Sequence, residues 1–209
     1  MKTMSMSKIS GMLLLLRRRA AEMLADRSGI AATEFAVIVP IMLVMFFGTV
    51  EFSSGVAVDR KVTLMARTLS DLTSQSTTVD DTAVTNFFAA SGAIMTPYPA
   101  TPTRATISEL YIDSTTLQAR VQWSRSATIN SSGGVVLAAG RANSSIIAIP
   151  SQIAVAGTYL IFSEVSYLYT PTIGYVMAKT GVNLSDVAYT RPRQSTCVFY
   201  GTATTCTKL

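Results

Sequence analysis

The stretch "RSGIAATEFAVIVP" places one carboxylate, Glu34, five positions after Gly29, where an apolar run begins. An ionised carboxylate costs several kcal/mol in hydrocarbon, less near the interface. At a helix N-terminus the macrodipole returns about 0.3–1 kcal/mol. A cut after Gly29 would make Ile30 the first residue and Glu34 the fifth. The new α-amino group of one subunit is then a partner for Glu34 of the next. An unpaired charge in an apolar bundle is heavily penalised, so the pair would set the axial register between subunits. Without the cut, Glu34 is an interfacial acid that reaches toward headgroups.

Other reactive residue types are sparse. The only cysteines, Cys197 and Cys206, lie in "CVFYGTATTC", where Gly201 and small residues let the chain turn back. In an exported domain these two are expected to form a disulfide. Arg191 and Arg193 in "RPR" are a possible contact for a partner carboxylate, or simply a solvated turn. With no histidine in 209 residues, neither a Ser–His nor a Cys–His pair exists, and two cysteines alone make a poor metal site. Ser5 and Lys8 have S-x-x-K spacing but fall in the leader. Asp80 and Asp81 stand alone beside a linker. "SSGG" (Ser131 to Gly134) lacks the lysine of a phosphate loop. The sequons at Asn130 and Asn143 carry little weight. No enzyme and no cofactor are expected.

These residues need a membrane helix to position them. The chain is 49% hydrophobic and only 14% charged, with a mean hydropathy of +0.38; that balance points to a membrane segment. From Phe35 to Val50 no charge occurs. Counted from Ile30, about 21 residues rise about 31 Å, enough for one span. Pro40 within it predicts a kink. The basic pI of about 9.4 belongs to the leader, where Lys2, Lys8, Arg17, Arg18, Arg19 and Arg27 face only Glu22 and Asp26. Nucleic acid is therefore not an expected partner. The same charges predict a cytoplasmic N-terminus and export of everything from about Glu51. "GMLLLL" is too short for a secretory h-region and precedes the arginines rather than following them.

The basic leader, the glycine and the glutamate five residues on resemble a type IV prepilin processing site. "GIAATEFAVIVP", with its Glu34-Phe35 pair, resembles in particular the TadE-like family of the tight adherence (Flp-type) pilus system. Here Ile30 stands where other type IV pilins usually begin with phenylalanine. "GTVEFSSGV" (Gly48 to Val56), "EVSYLYTP" (Glu164 to Pro171) and "AYTRPR" (Ala188 to Arg193) also look like that family. The resemblance implies a minor pilin or pseudopilin, processed by a prepilin peptidase at Gly29–Ile30. It would pack through its helix with other pilins or pseudopilins in the bacterial inner membrane, its C-terminal domain periplasmic or carried out in the pilus. The alternative is an uncut single-pass scaffold or adhesion protein.

The predicted organisation is a leader (1–29), a transmembrane and extended helix (30–74) and an exported domain (75–209). The fold class is α+β, pilin-like, with one long helix on a small antiparallel sheet. Val58, Val62, Met65, Leu69 and Leu72 recur at helical steps to about Ser74. Thr73–Asp81 reads as a linker, with Asp80 or Asp81 capping a helix to about Met95. Arg104–Ile112 and Leu117–Ser124 read as strands joined by the turn Asp113–Thr116. In the second, Leu117, Ala119, Val121 and Trp123 are expected on a dry face and Gln118, Arg120, Gln122 and Ser124 on a wet one. Ser126–Ser145 reads as a loop and Thr158–Tyr169 as the strongest strand. A short helix is expected over Ile173–Lys179, and edge strands over Leu184–Thr190 and Cys197–Tyr200. Tyr159, Tyr167, Tyr169 and Tyr175 are expected to pack rather than to form a binding face.

Overall fold

The computed structural model describes residues 17–23, 28–171 and 180–209; the helix expected over 173–179, with Tyr175, lies outside them. The chain divides into two compact units, Met1–Thr49 and Val50–Leu209.

Helix α1, Ser28–Ser74, is 47 residues long, about 70 Å at 1.5 Å per residue. Its N-terminal part belongs to the first unit. There Phe35, Val37, Ile38, Ile41, Met42, Val44, Met45 and Phe46 are all exposed. Pro40 sits inside the helix. α1 is long and apolar enough to cross a membrane, and the residues expected to span one lie within it.

In the second unit the C-terminal part of α1 is amphipathic. Val58, Val62, Met65 and Leu69 are fully buried, the spacing that puts four side chains on one face. They share a core with Ile107, Ile161, Val165, Tyr167 and Tyr169. Leu72, expected to continue this stripe, is only half-buried, whereas Thr73 and Ser74 are buried.

β1 (Thr78–Val79) and α2 (Asp81–Gly92) follow. Asp80 is the N-cap, accepting from Ala83 N–H at 2.7 Å. A 3₁₀ turn, Ala93–Met95, ends the helical stretch.

β2 (Thr103–Ile112), β3 (Ala119–Ile129), β4 (Val135–Ala139), β6 (Tyr159–Tyr169) and β7 (Val182–Thr190) form one antiparallel sheet in the order β4-β3-β2-β6-β7, with β5 (Ile146–Ile147) also on β3. β8 (Phe199–Tyr200) pairs in parallel with β1. The architecture is the expected α+β.

Three expectations need correction. Leu117, expected on the dry face of the second strand, is 50% exposed at a φ of 57° and precedes β3. Ser126–Ser145 is not simply a loop: β3 runs on to Ile129 and returns as β4. Asn130 Oδ1 closes the turn by accepting from Ser132 and Gly134 N–H, and Gly133 supplies its positive φ of 81°. Small polar residues hid the hairpin, because strand propensity is weak where packing decides. The wet face of β3 is also absent at its centre, where Gln122 and Ser124 are 3% and 6% exposed. The ladder shifts there: Glu109 pairs with Trp123, but Leu110 pairs with Val121. Gln122 is thus the extra residue of a bulge, which breaks the alternation. Trp123 joins the core beneath α1, while Ala119 and Val121 join a second core with Leu110, Ile112, Leu160 and Phe162.

Candidate functional site

The first element of the site is the start of α1. Gly29, Ile30, Glu34 and Phe35 are all exposed. A Cβ built on Gly29 meets nothing within 4 Å, so the Gly29–Ile30 bond lies in an open first helical turn, where the backbone N–H groups lack intrahelical partners. Thr33 Oγ1 donates back to Ile30 O at 2.8 Å. Beyond Glu34, the exposed apolar surface through Val50 presents no charge. A surface of that kind is compatible with lipid or with another apolar helix.

The second element is the seam between the C-terminal part of α1 and the sheet, which is bonded as well as greasy. Ser163 Oγ donates to Ala66 O at 2.6 Å. Ser70 Oγ donates to Thr190 Oγ1 at 2.8 Å, and Thr63 Oγ1 to Asp186 Oδ2 at 2.5 Å. Gly55 lies against the Tyr169 ring, its Cβ position 3.6 Å from the nearest ring carbon. These directional contacts fix how far along α1 the sheet docks, which apolar packing alone does not specify. Tyr159, Tyr167 and Tyr169 are 3%, 3% and 7% exposed. Burial raises all three hydroxyls above the ordinary tyrosine range, Tyr159 to about 12. Packing, not an aromatic face, is their role.

"RPR" splits into two fates. Arg191 is exposed. Arg193 is bound within the chain: its guanidinium pairs with Asp71 at 2.5 Å, and its N–H donates to Ser74 O at 2.8 Å. It ties the segment after β7 to the end of α1, the carbonyl-rich end that favours a cation.

The third element is the C-terminal loop. Cys197 and Cys206 are joined in a disulfide, as their spacing led one to expect. The loop is pinned to the sheet from several sides. Val198 N–H donates to Glu109 Oε1 at 2.5 Å, Trp123 Nε1 to Val198 O at 2.9 Å, and Tyr159 Oη to Thr207 O at 2.8 Å. Arg125 Nε donates to Asp81 Oδ1 at 2.8 Å and to the Tyr200 hydroxyl at 2.6 Å, its guanidinium 4.7 Å from the Tyr200 ring centroid. The Tyr200 hydroxyl and then Arg125 hold the Asp81 carboxyl below its usual range.

Glu109 is the residue that sequence reasoning passed over. It is 2% exposed, and desolvation pushes its carboxyl up to about 7, opposed by the bonds from Val198 and Trp123. The available signal was a lone acid inside a run of strand formers, "TISELYI". Among the described residues no group of three or more His, Cys, Asp and Glu is arranged to hold a metal ion.

No curated protein and no solved structure matches the chain. The family model described as TadE-like protein matches residues 29–69. That match takes in the glycine-to-glutamate motif and "GTVEFSSGV", and leaves the two downstream blocks outside. The matched segment lies wholly within α1, the helix that is long and apolar enough to cross a membrane. The α1 segment 29–69 thus carries the signature of TadE-like proteins, the family that the Gly29–Glu34 motif resembles.

Proposed function

We propose that the chain is a minor pilin or pseudopilin of a tight adherence pilus, cut by a prepilin peptidase between Gly29 and Ile30. The observation that carries this reading is the combination at one helix start. An accessible glycine, a carboxylate five residues on and an uncovered apolar surface all lie within the segment that matches the TadE-like family. The leader stays in the cytoplasm by its arginine excess, and the sheet unit is exported. In the inner membrane the apolar face of α1 supplies cohesion with neighbouring pilins. The Glu34 carboxylate pairs with the α-amino group of a neighbour's Ile30 and sets the stagger, because leaving either charge unpaired in a low-dielectric bundle is costly. The sheet unit is held to α1 at a fixed register by the Ser163, Ser70 and Thr63 bonds, so it transmits the position of the helix to whatever it caps or docks. The disulfide fits an oxidising compartment.

The test is the N-terminus of the protein recovered from membranes and from sheared surface material, read by intact mass and terminal peptide mapping. A chain that begins at Ile30, and reverts to full length in Gly29→Ala or without the peptidase, supports the reading. A wild-type chain that keeps residues 1–29 overturns it and makes the protein a permanently anchored scaffold.

A further inference from the structure

Beneath the disulfide loop lies a cavity of about 210 Å³, lined by Glu109, Trp123, Tyr200, Gln122 and Thr207 among others. That is several times the roughly 30 Å³ a water molecule occupies in the liquid. Its chemistry is one-sided: an acid in the lining and aromatic rings beside it, Trp123 and Tyr200 having centroids 5.2 Å apart.

Of the nearby cations, Arg125 is paired with Asp81 and lies on the Tyr200 ring, 4.7 Å from its centroid, and Lys208 holds its ammonium 5.7 Å from the Tyr111 ring centroid. Among the described residues, none of the ion pairs includes Glu109. Its carboxylate accepts from Val198 N–H at Oε1 and also receives a bond from Trp123. Gln122 is already occupied, donating to Arg120 O and accepting from Leu209 N–H. Of the other titratable groups around the cavity, the Tyr159 phenol is raised to about 12 and the Tyr200 phenol is also raised, chiefly by burial.

A buried carboxylate without a cation, in a cavity walled by electron-rich rings, matches an ammonium head on a slim alkyl stem. The carboxylate accepts charge-assisted hydrogen bonds and the Trp123 ring attracts the same cation, while the Tyr200 ring, which already carries Arg125, closes the wall. The volume suits a side chain of lysine size and not a fused ring system.

We propose that this cavity binds a primary alkylammonium group, with Glu109 as its counter-ion and Trp123 and Tyr200 as its walls. The group is either a lysine side chain of a partner protein or a small free amine. Raising of the Glu109 carboxyl to about 7 adds a proton linkage: binding selects the ionised acid, so it strengthens as pH rises toward and past 7. This inference does not depend on the pilin reading.

Trp123 is the single tryptophan of the chain, so its fluorescence reports this cavity alone. The full-length protein in detergent is titrated with Nα-acetyl-lysine amide, with cadaverine, and with Nα-acetyl-norleucine amide, which has the stem without the charge. Saturable change with either amine and not with norleucine supports the proposal. Preference for the lysine amide indicates a partner's side chain, and preference for cadaverine a free amine. In wild type, affinity should fall about tenfold from pH 8 to pH 6, following the ionised fraction of an acid with pKa near 7. In Glu109→Gln it should fall at least tenfold at pH 8, with near-ultraviolet circular dichroism showing the variant folded. No saturable signal with either amine, an equal response to norleucine, or affinity in wild type that ignores pH between 6 and 8 would overturn it.

Discussion

Replacement of Glu109 by glutamine gives a stability change whose sign depends on pH. The carboxyl moves from an ordinary 4.5 to about 7 on folding, chiefly because burial disfavours its charge. The folded chain therefore holds this proton more tightly than the unfolded chain. The stabilisation is complete below about pH 4.5 and is lost progressively as pH rises through 7. At about 1.4 kcal/mol per pH unit, the loss amounts to about 3 kcal/mol by pH 8. Glutamine is neutral throughout and keeps an oxygen where Val198 N–H donates. The variant should match wild type within about 1 kcal/mol at pH 5 and exceed it by up to about 3 kcal/mol at pH 8. For a chain of this size that is on the order of 6–12 °C in Tm. The assay is thermal unfolding of the full-length chain in detergent, followed by Trp123 fluorescence at unit steps from pH 5 to 8. The difference between variant and wild type isolates Glu109, because Asp81 and Asp113, whose carboxyls are held low in the fold, titrate identically in both. A difference that stays constant across that range, or a variant less stable at pH 8 than at pH 5 relative to wild type, refutes the reasoning.

Other outcomes follow from single contacts. Opening the disulfide in Cys197→Ser/Cys206→Ser frees a short loop and should cost about 2–3 kcal/mol by the loop-entropy account, read by denaturant unfolding without reductant. Leu69→Ala deletes a fully buried side chain and should cost about 2–5 kcal/mol in the same assay, far more than Leu64→Ala on the exposed face. A double-mutant cycle on Arg193 and Asp71 should return only about 0.2–1 kcal/mol, since both side chains are substantially exposed and screened. Gly181 holds a φ of 83°, and a Cβ there would meet Tyr169 O at 2.9 Å; Gly181→Ala should destabilise by more than about 1 kcal/mol.

The N-terminal half of the protein was readable because its determinants are local. The exposed apolar run, the Gly29–Glu34 spacing and the stripe Val58–Val62–Met65–Leu69 follow from periodicities that belong to a helix wherever it packs. The Asp80 cap and the Asp113 turn, whose Oδ1 accepts from Thr115 and Thr116 N–H, were legible for the same reason. β3 was not. Ala119 and Val121 lie on one face and Trp123 on the other, and the residue between, Gln122, changes the register only because β2 is beside it. The hairpin to β4 escaped because Ser, Gly and Ala carry little strand preference, and pairing with Ser126–Ile129 supplies what propensity lacks. Arg193, read as a possible partner contact or a solvated turn, is held by Asp71, more than a hundred residues earlier in the chain.

By itself the sequence determined a helix long and apolar enough to cross a membrane, the likeness to TadE-like proteins, the α+β class and the pairing of its two cysteines. Each rests on composition or on spacing over at most a few turns. The tertiary structure alone decided where the sheet grips α1, which face each β3 side chain takes, and that Glu109 is buried behind the disulfide loop with no ion pair among the described residues. Those depend on residues distant in the chain meeting across the sheet, where burial rather than residue type sets the energy of a charge.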